Sequence, residues 1–478
     1  MSKFLFLYSQ ALFYLSVFLF AFIPLYPKFP LVNVSGTFVA IRLEDVLIAV
    51  LVGAWAIYLV VSDQLRGFLK DRLTQALLLF FFIGALSSIS AIFLTHTVTA
   101  HIGILHLLRR VEYLMLLPVI ATVVKTKKQL ITTLIILIFV VLAVNFYALG
   151  QQYLDWPVIS TTNSEFSKGL LLRLTPGARV NSTFAGHYDL AVFLAMVITI
   201  LTAMFFAVRK RLKFLIIGLG SLSLIVLIMT AARLSFAAAF FGIITALILL
   251  KKKKYIFLIF IASAIILIYP SQLRDRFVST ITINLLNMGQ RYEGKTQDQQ
   301  IRSRLNIPTL AIKTSSESAE TSTFATGSGE VATDITPGEP IDTTELGVYR
   351  SFQIRLNIEW PRAIRAFWKN PFLGTGYSSI DIATDNDILR SLGEVGFLGT
   401  AALGLVFIEV GKRIFCCIRG ESKFVRYFSA GVLAMMVAFL VNGLFIDVLE
   451  SSKVATLFWM MLGLNLAVLK FKKTEWKF

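Results

Sequence analysis

Charged and polar residues gather at four places beside long apolar runs, and chemistry could occur at these positions. A charge next to hydrocarbon is costly and is retained for structure or for function. The first cluster is Thr384-Asp385-Asn386-Asp387-Ile388-Leu389-Arg390-Ser391-Leu392-Gly393-Glu394. Asp387, Arg390 and Glu394 recur at spacings of three and four, which places them on one helical face. Asp385 and Asn386 suit the N-terminus of that helix as caps. Two readings stay open. One is a capped, salt-bridged helix start; the other is a carboxylate at the water interface that takes a proton from an incoming hydroxyl.

The second position is Arg233, within Met229-Thr-Ala-Ala-Arg-Leu-Ser-Phe236, the only charge between Lys213 and Lys251. Its planar fork suits phosphate oxygens; the plainer alternative is an arginine snorkelling to the interface. The third cluster, Arg179-Val-Asn-Ser-Thr-Phe-Ala-Gly-His187-Tyr-Asp189, gathers Arg, Asn, Ser, Thr, His and Asp just before an apolar run. An ordinary polar loop explains it too, and only a fold can bring its arginine to Arg233. The fourth is Arg109-Arg110-Val-Glu112, where Arg109 and Glu112 stand at i,i+3 and predict a buried structural ion pair. Asn370-Pro-Phe-Leu-Gly-Thr-Gly-Tyr377 is a glycine turn that lacks the lysine and strand context of a phosphate loop. The four histidines show no paired-ligand spacing, and Cys416 and Cys417 are adjacent, a poor geometry for a disulfide or a zinc knuckle. No metal site and no cofactor are expected.

The elements that must carry these residues are apolar helices. Of 478 residues, 56% are hydrophobic and 15% charged, with mean hydropathy +0.75; a soluble domain carries roughly 25% charged residues. The fold class is therefore an all-α integral membrane protein. Twelve apolar runs approach the ~20 residues that cross a bilayer: 4–24, 43–61, 74–94, 103–124, 130–150, 187–207, 212–230, 233–250, 255–270, 387–411, 424–446 and 452–469. The first is longer than a signal-peptide core and lacks a clear cleavage site, so it reads as a retained span. The net charge of +18 is a matter of topology rather than of nucleic acid. Lys and Arg concentrate in alternate short loops: Arg66 to Arg72, Lys125 to Lys128, Arg209 to Lys213, Lys251 to Lys254, Lys412 to Arg426, and the tail from Lys470. One orientation satisfies all of them, with both termini cytoplasmic.

The domain organisation follows: 1–270 with nine spans, an extracytoplasmic loop over 271–386, and 387–478 with three spans and a cytoplasmic tail. Within the loop, 313–346 is rich in Ser, Thr, Gly and acids and is expected to be flexible. Residues 349–369 alternate apolar and basic positions at helical spacing and predict an amphipathic helix on the outer membrane surface, with Pro361 kinking it or opening a second helix.

Three stretches resemble the O-antigen ligase and polymerase family. They are Thr230-Ala-Ala-Arg-Leu-Ser-Phe-Ala-Ala-Ala-Phe240, the surface helix from Arg355 through Trp360 with its turn at Pro371, Gly374 and Gly376, and Asp385-Asn-Asp-Ile-Leu389 followed by Gly393-Glu-Val-Gly-Phe-Leu-Gly399. The last is similar to the family's His-Asn-x-x-Leu and Glu-x-Gly-x-x-Gly pattern, with Asp385 where the family has His. The resemblance implies a bacterial inner-membrane enzyme with its active site on the extracytoplasmic side. Its donor would be an undecaprenyl-diphosphate-linked glycan, and its acceptor a glycan or glycolipid. By the same resemblance, Arg179 and Arg233 hold the diphosphate, and Asp385 takes the proton of an acceptor hydroxyl that attacks the anomeric carbon with inversion and without a metal. Arg355, Asn386, Arg390, Glu394 and His187 stand as supporting positions. An exposed Asp titrates at about 3.9 and is a weaker base than His near neutrality, so the exchange at 385 leaves ligase and polymerase both open. A lipid-linked glycan flippase or transporter is the reading from another class; the chain lacks the internal repeat such proteins show.

Overall fold

The computed structural model describes residues 3–27, 29–35, 37, 40–158, 179–281, 355–380, 383–419 and 422–469. The expected flexible segment 313–346, the start of the amphipathic helix at 349–354 and the basic tail lie outside these residues. A helix stands at each of the twelve apolar runs. In chain order these are α1 (Lys3–Leu25), α2 (Leu43–Val61), a short α3 (Leu65–Lys70), α4 (Arg72–Phe93), α5 (Ala100–Val123) and α6 (Lys127–Tyr153). They continue as α7 (His187–Phe205), α8 (Lys210–Met229), α9 (Arg233–Leu249), α10 (Lys254–Ile268) and a short α11 (Gln272–Ile281). After the long insert come a π-type turn (Arg355–Glu359), α12 (Trp360–Lys369), α13 (Asp387–Ile418), α14 (Lys423–Asn442) and α15 (Ser452–Val468). A small antiparallel pair, β1 (Pro30–Asn33) and β2 (Ala40–Arg42), joins α1 to α2.

Among the described residues, seven helices are long and apolar enough to cross a membrane, or eight if α10 and the α11 segment Gln272–Thr280 count as one span. They meet at 96°, and Pro270 sits in the break. Helices α9 and α15 are apolar but shorter. Helices α5 and α13 interrupt their apolar runs with Arg109, Arg110 and Glu112, and with Asp387, Arg390 and Glu394. Length and composition therefore support a multi-pass helical membrane protein with fewer certain crossings than the twelve runs.

Packing explains the shorter spans. Every residue of α15 is buried, as expected of a helix that is apolar all round and enclosed by neighbours. It lies against α5, α14 and α1. Small residues bring α9 close to α7 and α14: a Cβ on Gly242 would stand 2.7 Å from Thr199 Oγ1 and 2.9 Å from the Ala438 Cβ. Close approach through Gly and Ala is how membrane helices gain contact without a hydrophobic driving force between them. Helix α12 begins with Pro361 in its first turn, a position where the missing N–H has no partner to lose. It packs on α13 through Gly393, whose Cβ would meet the Ala363 carbonyl at 3.0 Å, and it leaves Ile364 and Trp368 exposed.

Candidate functional site

The loop before α7, the first turn of α9, the bent helix α11 and the segments flanking α12 meet at one end of the bundle. Each is held there by bonds that its sequence makes available. In the loop, Gln151 from the end of α6 clasps the backbone of Ser182: its Oε1 accepts from the Ser182 amide at 2.7 Å and its Nε2 donates to the Ser182 carbonyl at 3.1 Å. Ser182 Oγ donates to the Val144 carbonyl at 2.6 Å, and Thr183 Oγ1 to the Pro24 carbonyl at 2.7 Å. Beneath the loop, the buried Lys453 ammonium donates to the carbonyls of Pro24 and Thr183. This fixes Arg179, itself buried, with its Nη1 at 2.7 Å from His187 Nε2.

Arg233 opens α9 after a turn in which Ala231 has φ +50°. Its Nη1 donates to the Arg276 carbonyl at 3.2 Å and to the Thr280 hydroxyl, so α11 lies directly over it. Arg276 is buried on the inner face of α11 with Leu273 and Ser279. Arg233 lies in the electrostatic reach of Arg276, Arg355 and Arg179, and His187 in that of Arg179 and Arg276. Arg355 closes the group: its Nε and Nη2 both donate to Asp385 Oδ2, the first at 2.9 Å. Burial works against the Arg355 charge, but the Asp385 carboxylate outweighs it and holds the pKa above the ordinary arginine value. Four guanidiniums thus share one neighbourhood with Asp385, Tyr188 and His187. Like charges brought together in a partly dehydrated site repel, so the arrangement is suited to an anion of more than one charge.

Arg390 and Glu394 do not face this group. They belong to an adjoining ionic network in which Arg390 bonds Glu394 at 3.2 Å, Glu450 at 3.2 Å and Asp447 at 2.9 Å. Arg110 joins it through Glu450 and, at 3.9 Å, Glu394. Arg110, Tyr377, Asp387, Arg390, Glu394 and Glu450 line a cavity of about 30 Å³, room for one or two waters rather than a sugar. Asp387 shares the helix end but bonds the Leu449 amide at 3.2 Å. The sequence-based pairing of Arg109 with Glu112 is not what forms: Arg109 Nε donates to the Tyr113 hydroxyl, and the interhelical ion pairs are made by its neighbour Arg110. The side chains at 109 and 110 leave the helix about 100° apart, and only the second faces α13.

The two glycine motifs form a single element. The Thr375 and Gly376 amides donate to the Gly393 and Glu394 carbonyls at 2.9 and 2.8 Å, and the Phe397 and Leu398 amides to Pro371 and Phe372 at 2.8 and 3.2 Å. The turn thereby runs alongside α13 and opens that helix at Gly396, φ +66°. A Cβ at Gly374 (φ +70°) or at Gly396 would stand 2.4 Å from opposing backbone carbon. The Leu373, Gly374, Thr375 and Gly376 amides of this turn are bonded within the protein, so they are not free to cradle a phosphate. The turn's product is the placement of Glu394, whose carboxylate also accepts from the Ser378 amide at 3.2 Å. Nearby, burial pushes the Tyr377 phenol well above its ordinary value, against the pull of Arg110, whose guanidinium stands 5.7 Å from its ring centre.

Sequence reasoning missed Arg276, Tyr188, Asp447, Glu450 and Lys453. Asp447 and Glu450 are the only charges between Arg426 and Lys453, a signal of the same kind that marked Arg233. Arg276 carries no such mark, because it sits in a short, ordinarily amphipathic helix.

The fold and this end of the bundle define a polytopic helical membrane protein with an arginine-rich polar site. Residues 218–404, which include Arg233, Arg276, Arg355 and Asp385, match the family model described as O-antigen ligase. Over these residues, fewer than half of the chain, the sequence is similar to the O-antigen ligase family, which supports a function in lipid-linked glycan transfer at a bacterial membrane. No curated protein matches the chain.

Proposed function

We propose that this protein transfers a glycan from an undecaprenyl-diphosphate-type carrier to an acceptor hydroxyl on the extracytoplasmic side of the inner membrane, with both termini cytoplasmic. The carrying observation is that arginines from four separate segments share one electrostatic neighbourhood with the Asp385 carboxylate at the bundle end. Arg179 and Arg233 hold the diphosphate and stabilise the negative charge that grows on it as the bond to the anomeric carbon breaks. The acceptor oxygen attacks that carbon from the opposite face and inverts it. Its proton passes to Asp385, and the diphosphate leaves with the bonding electron pair. Arg355 links the two halves, since its fork orients the carboxylate while its charge adds to the field over the phosphates. Diphosphate is a good leaving group, and the step as written uses no metal.

An in vitro transfer assay with purified, reconstituted protein and a polyprenyl-diphosphate-linked oligosaccharide tests this. Arg233→Ala and Asp385→Ala should each lower transfer by at least roughly a hundredfold, the usual scale for losing a charge stabiliser or a general base. Full transfer by both overturns the assignment. The same assay separates ligation from repeat-unit polymerisation: a ladder of carrier-linked chain lengths marks a polymerase, and glycan on a different acceptor marks a ligase. Movement of the intact donor across vesicle membranes without transfer would instead indicate a flippase.

A further inference from the structure

Asp385 sits in a left-handed backbone conformation, φ +49°, which is strained for a residue that carries a Cβ. Contacts from outside the turn hold it there, and one residue grips both sides of it. The carboxylate of Asp447, from the loop between α14 and α15, accepts from the amide before Asp385 and the amide after it. Thr384 N–H donates to Oδ2 at 2.7 Å, and Asn386 N–H donates to Oδ1 at 3.1 Å. Arg390 Nη1 donates to the same Oδ2 at 2.9 Å and is itself held by Glu394 and Glu450. Asn386 Nδ2 donates to the Leu444 carbonyl at 3.0 Å, and the Asp387 amide to Gly443 at 2.7 Å.

We infer that Asp447 is a positioning residue for the transfer step: it brackets Asp385 by its two flanking amides and so sets where that carboxylate meets the acceptor hydroxyl. The inference rests on the reading of Asp385 as the base. It also gives the neighbouring ionic network a purpose, since Arg390 bonds the Asp447 carboxylate and is itself held by Glu394 and Glu450. The residue lies outside the segment that matches the family model, and it touches neither Arg179 nor Arg233 in any hydrogen bond or ion pair given by the described residues.

The test is steady-state transfer by Asp447→Asn in the intact protein, with Asp385→Ala and the double variant beside it. An asparagine nitrogen cannot accept an N–H, so one flanking amide loses its partner while shape is kept. The expected result is a kcat about a hundredfold lower, the scale of an ångström's misplacement of a reacting group, with the KM for the donor and the Tm in detergent nearly unchanged. In the Asp385→Ala background the second substitution should change nothing further. A raised donor KM, unimpaired kcat, or an additional loss in that background overturns the positioning role. Full transfer by Asp385→Ala overturns the base reading together with it. If Asp447→Asn does not fold, Asp447→Glu is read by the same criteria, because one added methylene shifts both amides.

Discussion

Asp385 and Arg355 set the chemistry at the residue scale. A fork of two N–H groups on one carboxylate oxygen fixes the carboxylate plane, and a lysine cannot reproduce it because its ammonium is a point donor. Arg355→Lys should therefore keep donor binding within a few-fold but slow transfer by roughly tenfold to a hundredfold, read as a kcat loss. Asp385→His restores the residue the family pattern carries and should retain transfer. It also moves the acid limb of the rate profile upward. The base works only when deprotonated; an ordinary Asp loses its proton near 3.9 and an ordinary His near 6.5. The His variant should thus lose rate as pH falls through about 6, where the parent still works. A profile measured from pH 4.5 to 8 that is identical for both proteins would show that position 385 is not the base.

At the scale of elements, the glycine turn and the opening of α13 are one device. Residues 371–376 bond to 393–398 across a gap in which neither Gly374 nor Gly396 has room for a Cβ. Either glycine changed to alanine adds at least about 1 kcal/mol of left-handed strain before the clash with backbone. Both variants should show a lower Tm in detergent, and Gly53→Ala, where nothing stands within 4 Å, should not. The anchor beneath the Arg179 loop makes a second case. Lys453 is 1% exposed, and Lys453→Ala removes the donor to two carbonyls, at a cost of roughly 1–3 kcal/mol. Limited proteolysis should then cut the 179–186 loop faster than in the parent.

Over the whole molecule, the proposed orientation rests on the basic loops. The end that carries the arginine group is joined by the loop at 94–99, and the opposite end by Arg413 bonded to Asp71 at 2.8 Å. In a Cys416→Ser, Cys417→Ser background, Thr95→Cys should react in intact cells with a membrane-impermeant thiol reagent, and Gln64→Cys only after lysis. The reverse pattern would place the site in the cytoplasm. The described residues on either side of the long insert, at the end of α11 and at Arg355, stand at that end, so a change in the insert's length should alter acceptor use more than the integrity of the bundle.

The sequence by itself determined the helices, their approximate ends and the membrane class, because a run of apolar residues is a local property and its solvent is decided by composition. It also marked Arg233, since an isolated charge beside hydrocarbon stands out within a window of about twenty residues, whereas Arg179 stood in a polar cluster and Asp385 was singled out by the family resemblance. It misassigned the partner of Arg109 and named none for Arg110, because helical spacing shows which neighbours an arginine can reach along its own helix but not which helix lies opposite. Tertiary structure alone decided that Arg276 joins the arginines, that two glycine motifs sixteen residues or more apart form one clamp, and that Asp447 brackets Asp385 from sixty-two residues away. Those pairings depend on the order in which helices pack and on where a 96° bend lays α11. Both arise from contacts between distant side chains, which no local pattern encodes.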